Sequence, residues 1–219
     1  MNAKEVVVHP NFKNKNAEYY NNKSNVYHAY SFDYCLVKID PIDMERINNG
    51  ASEPGKIIVA NARLAEREVP FSIGVEKEIK SDTTCSIVGW GQVHTIGKQS
   101  PVLREADVEL MSSAYCNDLG NNYTGDSADR TKKTYGAVRG VHSFCAGETR
   151  GFTDTCWGDS GGPLFCKVDN EWRLVGITSH GPPTGVCGRA GLPGIYAKIS
   201  YIIPWIQNIT GCKCLNNDK

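Results

Sequence analysis

Nine cysteines in a chain of 219 residues narrow the choice of fold before any other residue is read. In a reducing compartment, so many thiols usually serve metals at Cys-x-x-Cys spacings. No such pair occurs, and Cys212 and Cys214 are the only close couple. No metal or cofactor is therefore expected, and the cysteines read as disulfides made in an oxidising compartment. The count is odd, so at least one thiol has no partner within the chain. Disulfides here supplement a core of ordinary size, since 40% of residues are hydrophobic and 22% charged. That is enough for one domain or two small ones.

Charge removes other classes. Lys and Arg together number 24, as do Asp and Glu, so the formal net charge is zero. The longest basic run is Lys132-Lys133, which makes no stripe for nucleic acid. No apolar run reaches the roughly 20 residues of a bilayer span. Met1 to Pro10 has neither the apolar core nor the small-residue cleavage site of a secretory signal. Sequons at Asn22, Asn122 and Asn208 suit a secretory route but also arise by chance.

The pattern along the chain is of short strands between turn signals. Val6–Val8, Asp33–Ile39, Lys56–Ala60, Cys85–Trp90 and Gly194–Ile199 read as strands. Leu164–Cys166 and Trp172–Thr178 read as a hairpin across the polar turn Lys167–Glu171. Residues 11–30 and 40–55 read as loop and linker. Only the end is helical: Ile202, Ile206 and Ile209 recur at helical spacing, with Pro204 in the first turn. With 22 Gly and 10 Pro, this argues for an antiparallel barrel or sandwich.

The chemistry lies in Gly158-Asp159-Ser160-Gly161-Gly162-Pro163. Glycines around a serine let the backbone turn sharply and a substrate approach. The N–H groups of Gly158 and Ser160 can then converge on a developing oxyanion. A plain glycine turn with an exposed serine would read the same. The α/β-hydrolase elbow also has Gly-x-Ser-x-Gly, but needs a helix directly afterwards. Gly162-Pro163 and a β-type run to Cys166 stand there instead.

Further marks extend this segment: Val8-His9-Pro10-Asn11-Phe12, Asp33 to Ile39, Cys85 to Gly91 with its Gly-Trp-Gly, Phe144-Cys145-Ala146-Gly147, Asp154-Thr155-Cys156-Trp157 and Pro193-Gly194-Ile195-Tyr196. In this order and spacing the chain resembles the chymotrypsin-like serine proteases, and trypsin-like ones in particular, from about Val6 to about Ile209. The resemblance implies an all-β fold, a double antiparallel β-barrel with a C-terminal helix. Residues 1–62 would be an incomplete remnant of the first barrel plus a linker, and residues 63–219 the second barrel and helix.

The resemblance also implies roles. Ser160 would be the nucleophile, and the Gly158 and Ser160 N–H groups the oxyanion hole. Asp33 would orient the catalytic histidine, though an Asp at a strand start is often only a turn residue. Asp159 would accept the N-terminal ammonium released on zymogen cleavage, or simply cap a turn. Asp154 would floor the primary specificity pocket and pair with Arg or Lys of the substrate; as a plain residue it would be a solvated loop acid. Thr155, Ser179, Gly181 and Gly194 would complete the substrate-binding wall. The implied disulfides are Cys85–Cys166, Cys116–Cys145 and Cys156–Cys187. Cys35 would be a buried free thiol, and Cys212 and Cys214 would pair with cysteines beyond this chain.

One part is missing. A serine hydroxyl needs a general base, and the family carries its histidine in an Ala-x-His-Cys segment well before the aspartate. None of His9, His28, His94, His142 or His180 matches it. His180 stands where the family usually has Trp, and Trp157 puts a ring at the pocket lip. The expectation is the C-terminal two-thirds of a secreted trypsin-like endopeptidase whose catalytic histidine lies in a missing N-terminal segment. It would act as a monomer on protein or peptide substrates with Arg or Lys at the cleaved bond, with protease inhibitors as further partners and neither nucleic acid nor membrane. The alternative is an inactive homologue that binds proteins. Alone, the chain is expected to be nearly inactive and to expose open strand edges.

Overall fold

The computed structural model describes residues 2–12, 32–49, 62–65, 85–112, 114–116, 142–168, 170–181 and 186–212. The strand expected at Lys56–Ala60, His28 and the sequons at Asn22 and Asn122 lie outside them.

Six strands close a barrel. They are β4 (Cys85–Gly89), β5 (Arg104–Met111), β6 (Ser143–Gly147), β7 (Pro163–Val168), β8 (Glu171–His180) and β9 (Gly194–Lys198). Their order is β8-β7-β4-β5-β6-β9, and β9 pairs back onto β8. Every one of these pairings is antiparallel. A short strand β3 (Arg63–Leu64) adds to β8 in parallel. Closure removes the edges of the central sheet.

The residues explain the strands. β6 and β9 are buried at all five positions, so they need no polar alternation. β7 and β8 form the expected hairpin, turning at Asn170 with φ 63, a left-handed conformation that Asn tolerates. β5 was not legible as a strand, because Arg104, Glu105, Asp107 and Glu109 dominate it. Val108, Leu110 and Met111 nevertheless turn inward. The barrel is filled by Ile87, Val108, Leu110, Phe144, Leu164, Val175 and Tyr196. Phe144 and Tyr196 stack with centroids 5.8 Å apart. Gly176 makes room for that stack, since a Cβ there would lie 2.7 Å from Phe144 Cζ.

The helix at the end, α2 (Ile199–Thr210), begins earlier than its periodicity suggests. Pro204 therefore lies inside the helix and not in its first turn. Ile199, Ile202 and Ile203 are buried, whereas Ile209 is 43% exposed. Gly211, in the left-handed region, closes α2 by donating its N–H to the Gln207 carbonyl. The stretch read as linker holds a short helix, α1 (Met44–Asn48), whose first turn is capped by the Asp43 carboxylate.

Outside the barrel, β1 (Ala3–Val8) and β2 (Cys35–Ile39) pair as a two-stranded antiparallel ribbon. Val6, Val8 and Val37 are each half or more exposed. Cys35 is also exposed, with a free thiol, which corrects the expectation of burial. Among the described residues no second layer covers the ribbon to give that side chain a core. Just beyond the ribbon, His9 stacks on Phe32 and tilts against Trp205 of α2. The Tyr34 hydroxyl lies 2.6 Å from the His142 carbonyl oxygen and 2.9 Å from that of Lys198. These contacts fasten the segment before β2 to the barrel.

Cys85–Cys166, Cys116–Cys145 and Cys156–Cys187 are disulfides, the same three pairs the resemblance implies. Cys212 is also disulfide-bonded, so it is not waiting for a cysteine beyond the chain.

Candidate active site

Ser160 sits exposed on the turn that leads into β7. Two left-handed glycines shape this turn, Gly158 at φ 100 and Gly161 at φ 79. Backbone bonds hold it: Asp159 N–H to the Cys156 carbonyl, Gly162 N–H to the Asp159 carbonyl and Gly161 N–H to the Thr178 carbonyl. The turn is thus tied to β8, on the strand that also carries Ser179 and His180.

Asp159 turns away from the serine, into the protein. Its Oδ1 accepts from Gly91 N–H at 2.8 Å and its Oδ2 from Cys156 N–H at 2.9 Å. A Cβ on Gly89 or Gly91 would strike this carboxylate. That contact gives the Gly-Trp-Gly sequence its physical reason. A cavity of about 190 Å³, lined in part by Gly89, Gly91, Asp154 and Asp159, adjoins it.

Asp154 is held by the Thr155 N–H at 2.8 Å and the Gly188 N–H at 3.1 Å. Burial raises its pKa to about 6, and the backbone N–H groups of Gly188, Thr155 and Gly194 oppose the rise. Gly194 packs directly on it, for a Cβ there would lie 2.8 Å from Asp154 Oδ1. Gly181, by contrast, faces open space. Thr155 Oγ1 lies 3.2 Å from the hydroxyl of buried Tyr196. Asp154 lines a second cavity of about 450 Å³ together with Gln92–Ile96, Phe152 and Gly188. The Cys156–Cys187 disulfide borders that cavity, joining the segment of Asp154 to the segment of Gly188.

Asp33 immediately precedes Tyr34 and β2. Its Oδ2 accepts a hydrogen bond of 2.6 Å from the Ser179 hydroxyl of β8. Ser179 Oγ also lies 3.0 Å from His180 Nδ1. Burial lowers the His180 pKa to about 4, so the ring is neutral near pH 7. His9 and His142 are buried among aromatic rings, and His94 is exposed on the loop after Gly-Trp-Gly. No described histidine is hydrogen-bonded to the Asp33 carboxylate in the way a triad requires.

Sequence reasoning missed two neighbours of the serine turn. Gln99 lies over Gly158, so a side chain at Gly158 would collide with the Gln99 amide. The Gly91 N–H holds the Asp159 carboxylate from 68 residues away. The Gly-Trp-Gly sequence carried a signal for the second contact; nothing near Gln99 signalled the first.

A family model described as Trypsin matches residues 1–206. The chain belongs to the trypsin family of serine proteases. Its barrel is correspondingly similar to neuropsin, a serine protease expressed in the limbic system of mouse brain. The two share 27% identity and a TM-score of 0.62, over 95% of this chain and 71% of that one. Transmembrane protease serine 7 is 38% identical over 134 residues in Mus musculus and over 136 residues in Rattus norvegicus. Those matches cover 60% and 61% of this chain but only 14% of each relative's length. Among the described residues of this trypsin-family chain, no helix is long and apolar enough to cross a membrane.

Proposed function

We propose that the chain is the catalytic part of a secreted trypsin-like endopeptidase that cleaves after Arg or Lys. Ser160 is the nucleophile of this reading, and the Gly158 and Ser160 N–H groups stabilise the oxyanion. Asp33 orients the general base. No described histidine is suitably placed; in this reading an imidazole from a segment outside this sequence, docked beside Asp33, takes the Ser160 proton and returns it to the leaving amine. The sequence then divides near residue 62, between first-barrel and second-barrel segments. Asp159 is the seat for an activation-generated ammonium, and its adjoining cavity supports that role. The protein acts as a monomer on protein substrates, and protease inhibitors bind the same cleft.

The observation that carries the reading is the exposed Ser160 on a turn pinned by Asp159, with the half-buried Asp154 carboxylate six residues before it. Asp154, with Gly194 packed on it and a cavity of about 450 Å³ beside it, suits a long cationic side chain. The test is hydrolysis of matched Arg-, Lys- and Phe-terminated amides by the natural protein with its own upstream sequence. Cleavage of the Arg and Lys amides, lost by about a thousandfold or more in Ser160→Ala, is the expected result. Cleavage of the Phe amide alone would overturn the specificity. No cleavage, together with tight binding of a protein ligand, would favour the second reading. That reading, an inactive homologue that binds proteins, is favoured by the want of a base beside Asp33 among the described residues.

A further inference from the structure

Proton counting along one row of hydrogen bonds assigns a role to His180, the residue that departs from the family's usual Trp. Ser179 Oγ lies 2.6 Å from Asp33 Oδ2 and 3.0 Å from His180 Nδ1. A hydroxyl has one proton, and an ionised carboxylate can only accept. The Ser179 proton therefore points at Asp33. The contact with the ring can then be a hydrogen bond only if Nδ1 carries a proton and donates to Ser179 Oγ. With the ring neutral, Nε2 is left as an acceptor.

We propose that His180 is a positioning residue for Asp33, acting through Ser179. Its Nδ1–H occupies one lone pair of the Ser179 hydroxyl, which disfavours rotation and keeps the Ser179 O–H directed at Asp33. Successive donors in such a row polarise one another and strengthen the terminal bond. A Trp at 180 has no Nδ1 from which to do this. The strands supply the geometry: Ser179 and His180 are consecutive residues at the end of β8, where the pairing with β9 shifts register between Thr178 and His180. That irregularity lets neighbouring side chains, which a regular strand sends to opposite faces, reach one another.

The value of the row for catalysis rests on the proteolytic reading, but the tautomer itself does not. The first experiment is therefore spectroscopic. Ring nitrogen shifts of the full chain labelled with ¹⁵N-histidine are read at pH 7, and His180 is assigned by the signal lost in His180→Asn. The expected result is a protonated Nδ1 and a bare Nε2, with the Ser179→Ala variant moving the population toward the Nε2–H form. An Nε2–H ring in the unaltered protein, or no response to Ser179→Ala, overturns the proposal.

The second experiment measures kcat and KM on an Arg amide for the natural protein. His180→Phe keeps a ring and loses the donor, and it should lower kcat by about three- to tenfold with little change in KM. His180→Asn can place an amide N–H near the Nδ1 position and should restore most of the rate, whereas equal losses in both variants would overturn the role. Near-ultraviolet circular dichroism on each variant separates a lost hydrogen bond from a lost fold. A wholly inactive unaltered protein would sink the proteolytic reading, and the tautomer measurement would still decide this one.

Discussion

Asp154 shows how one residue answers to two demands. Its carboxyl has an ordinary value of 3.8, raised by burial to about 6. A raised acid means that the folded protein binds the proton more tightly than the unfolded chain. Stability is therefore greatest below pH 4 as far as this group decides it, and it falls as pH rises from about 4 to about 6. The loss amounts to about 3 kcal/mol. In the proposed Arg- or Lys-directed reading, substrate binding runs the other way, because a cationic side chain needs the ionised form. Thermal unfolding from pH 4 to 7 should show this slope, and Asp154→Asn should flatten it. KM for an Arg amide should rise as pH drops below 6. Asp159 makes a simpler case. Asp159→Ala strands the Gly91 and Cys156 N–H groups and should cost about 1–3 kcal/mol in urea unfolding. Both acids could be singled out from their place in the Gly-Asp-Ser-Gly-Gly-Pro region. Gly194 was singled out with them and Gly91 was marked by the Gly-Trp-Gly sequence, but Gly188 was not, because it contributes only a backbone N–H, which leaves no side-chain signature.

At the scale of elements, alternation and burial explain what was legible. The β7–β8 hairpin was readable because two apolar runs flank a polar turn, and β9 because all its positions are buried. β5 was hidden by its four charged residues, whose side chains say nothing of the inward Val108 and Leu110. In α2 the period was right but the face was displaced. Ile199, Ile202 and Ile203 form the buried side, so the pairing of α2 with the barrel decided the phase, which spacing alone left free. The two ends of α2 should respond very differently to truncation. Ile202→Ala should cost about 2–5 kcal/mol. Ile209→Ala, at a partly exposed position, should stay within about 1 kcal/mol. Equal effects in urea titrations would mean that the helix is docked by another face.

For the whole molecule, the closed barrel and the ribbon differ in how their sheet edges are treated. The barrel has its pairings complete and its core filled. The β1–β2 ribbon carries Val6, Val8 and Val37 in solvent and invites contact with other chains. Val6→Thr with Val37→Lys should reduce self-association of the isolated chain in light scattering, with little change in its unfolding midpoint. The double-barrel class was legible from the ordered motifs, and the comparison with neuropsin is consistent with it. The state of Cys35 was not legible, because burial of a thiol depends on a second layer that no local sequence reports.

Tyr34 has a consequence for how this architecture tolerates change. Its hydroxyl meets two carbonyl oxygens of the barrel, at His142 and Lys198, and Asp33 is its immediate neighbour. The phenol thus works like a dowel between two machined parts. It sets where Asp33 stands relative to Ser179 by reference to the barrel. Removing the hydroxyl would therefore let the carboxylate drift from Ser179 while every pairing of the barrel itself stayed in place.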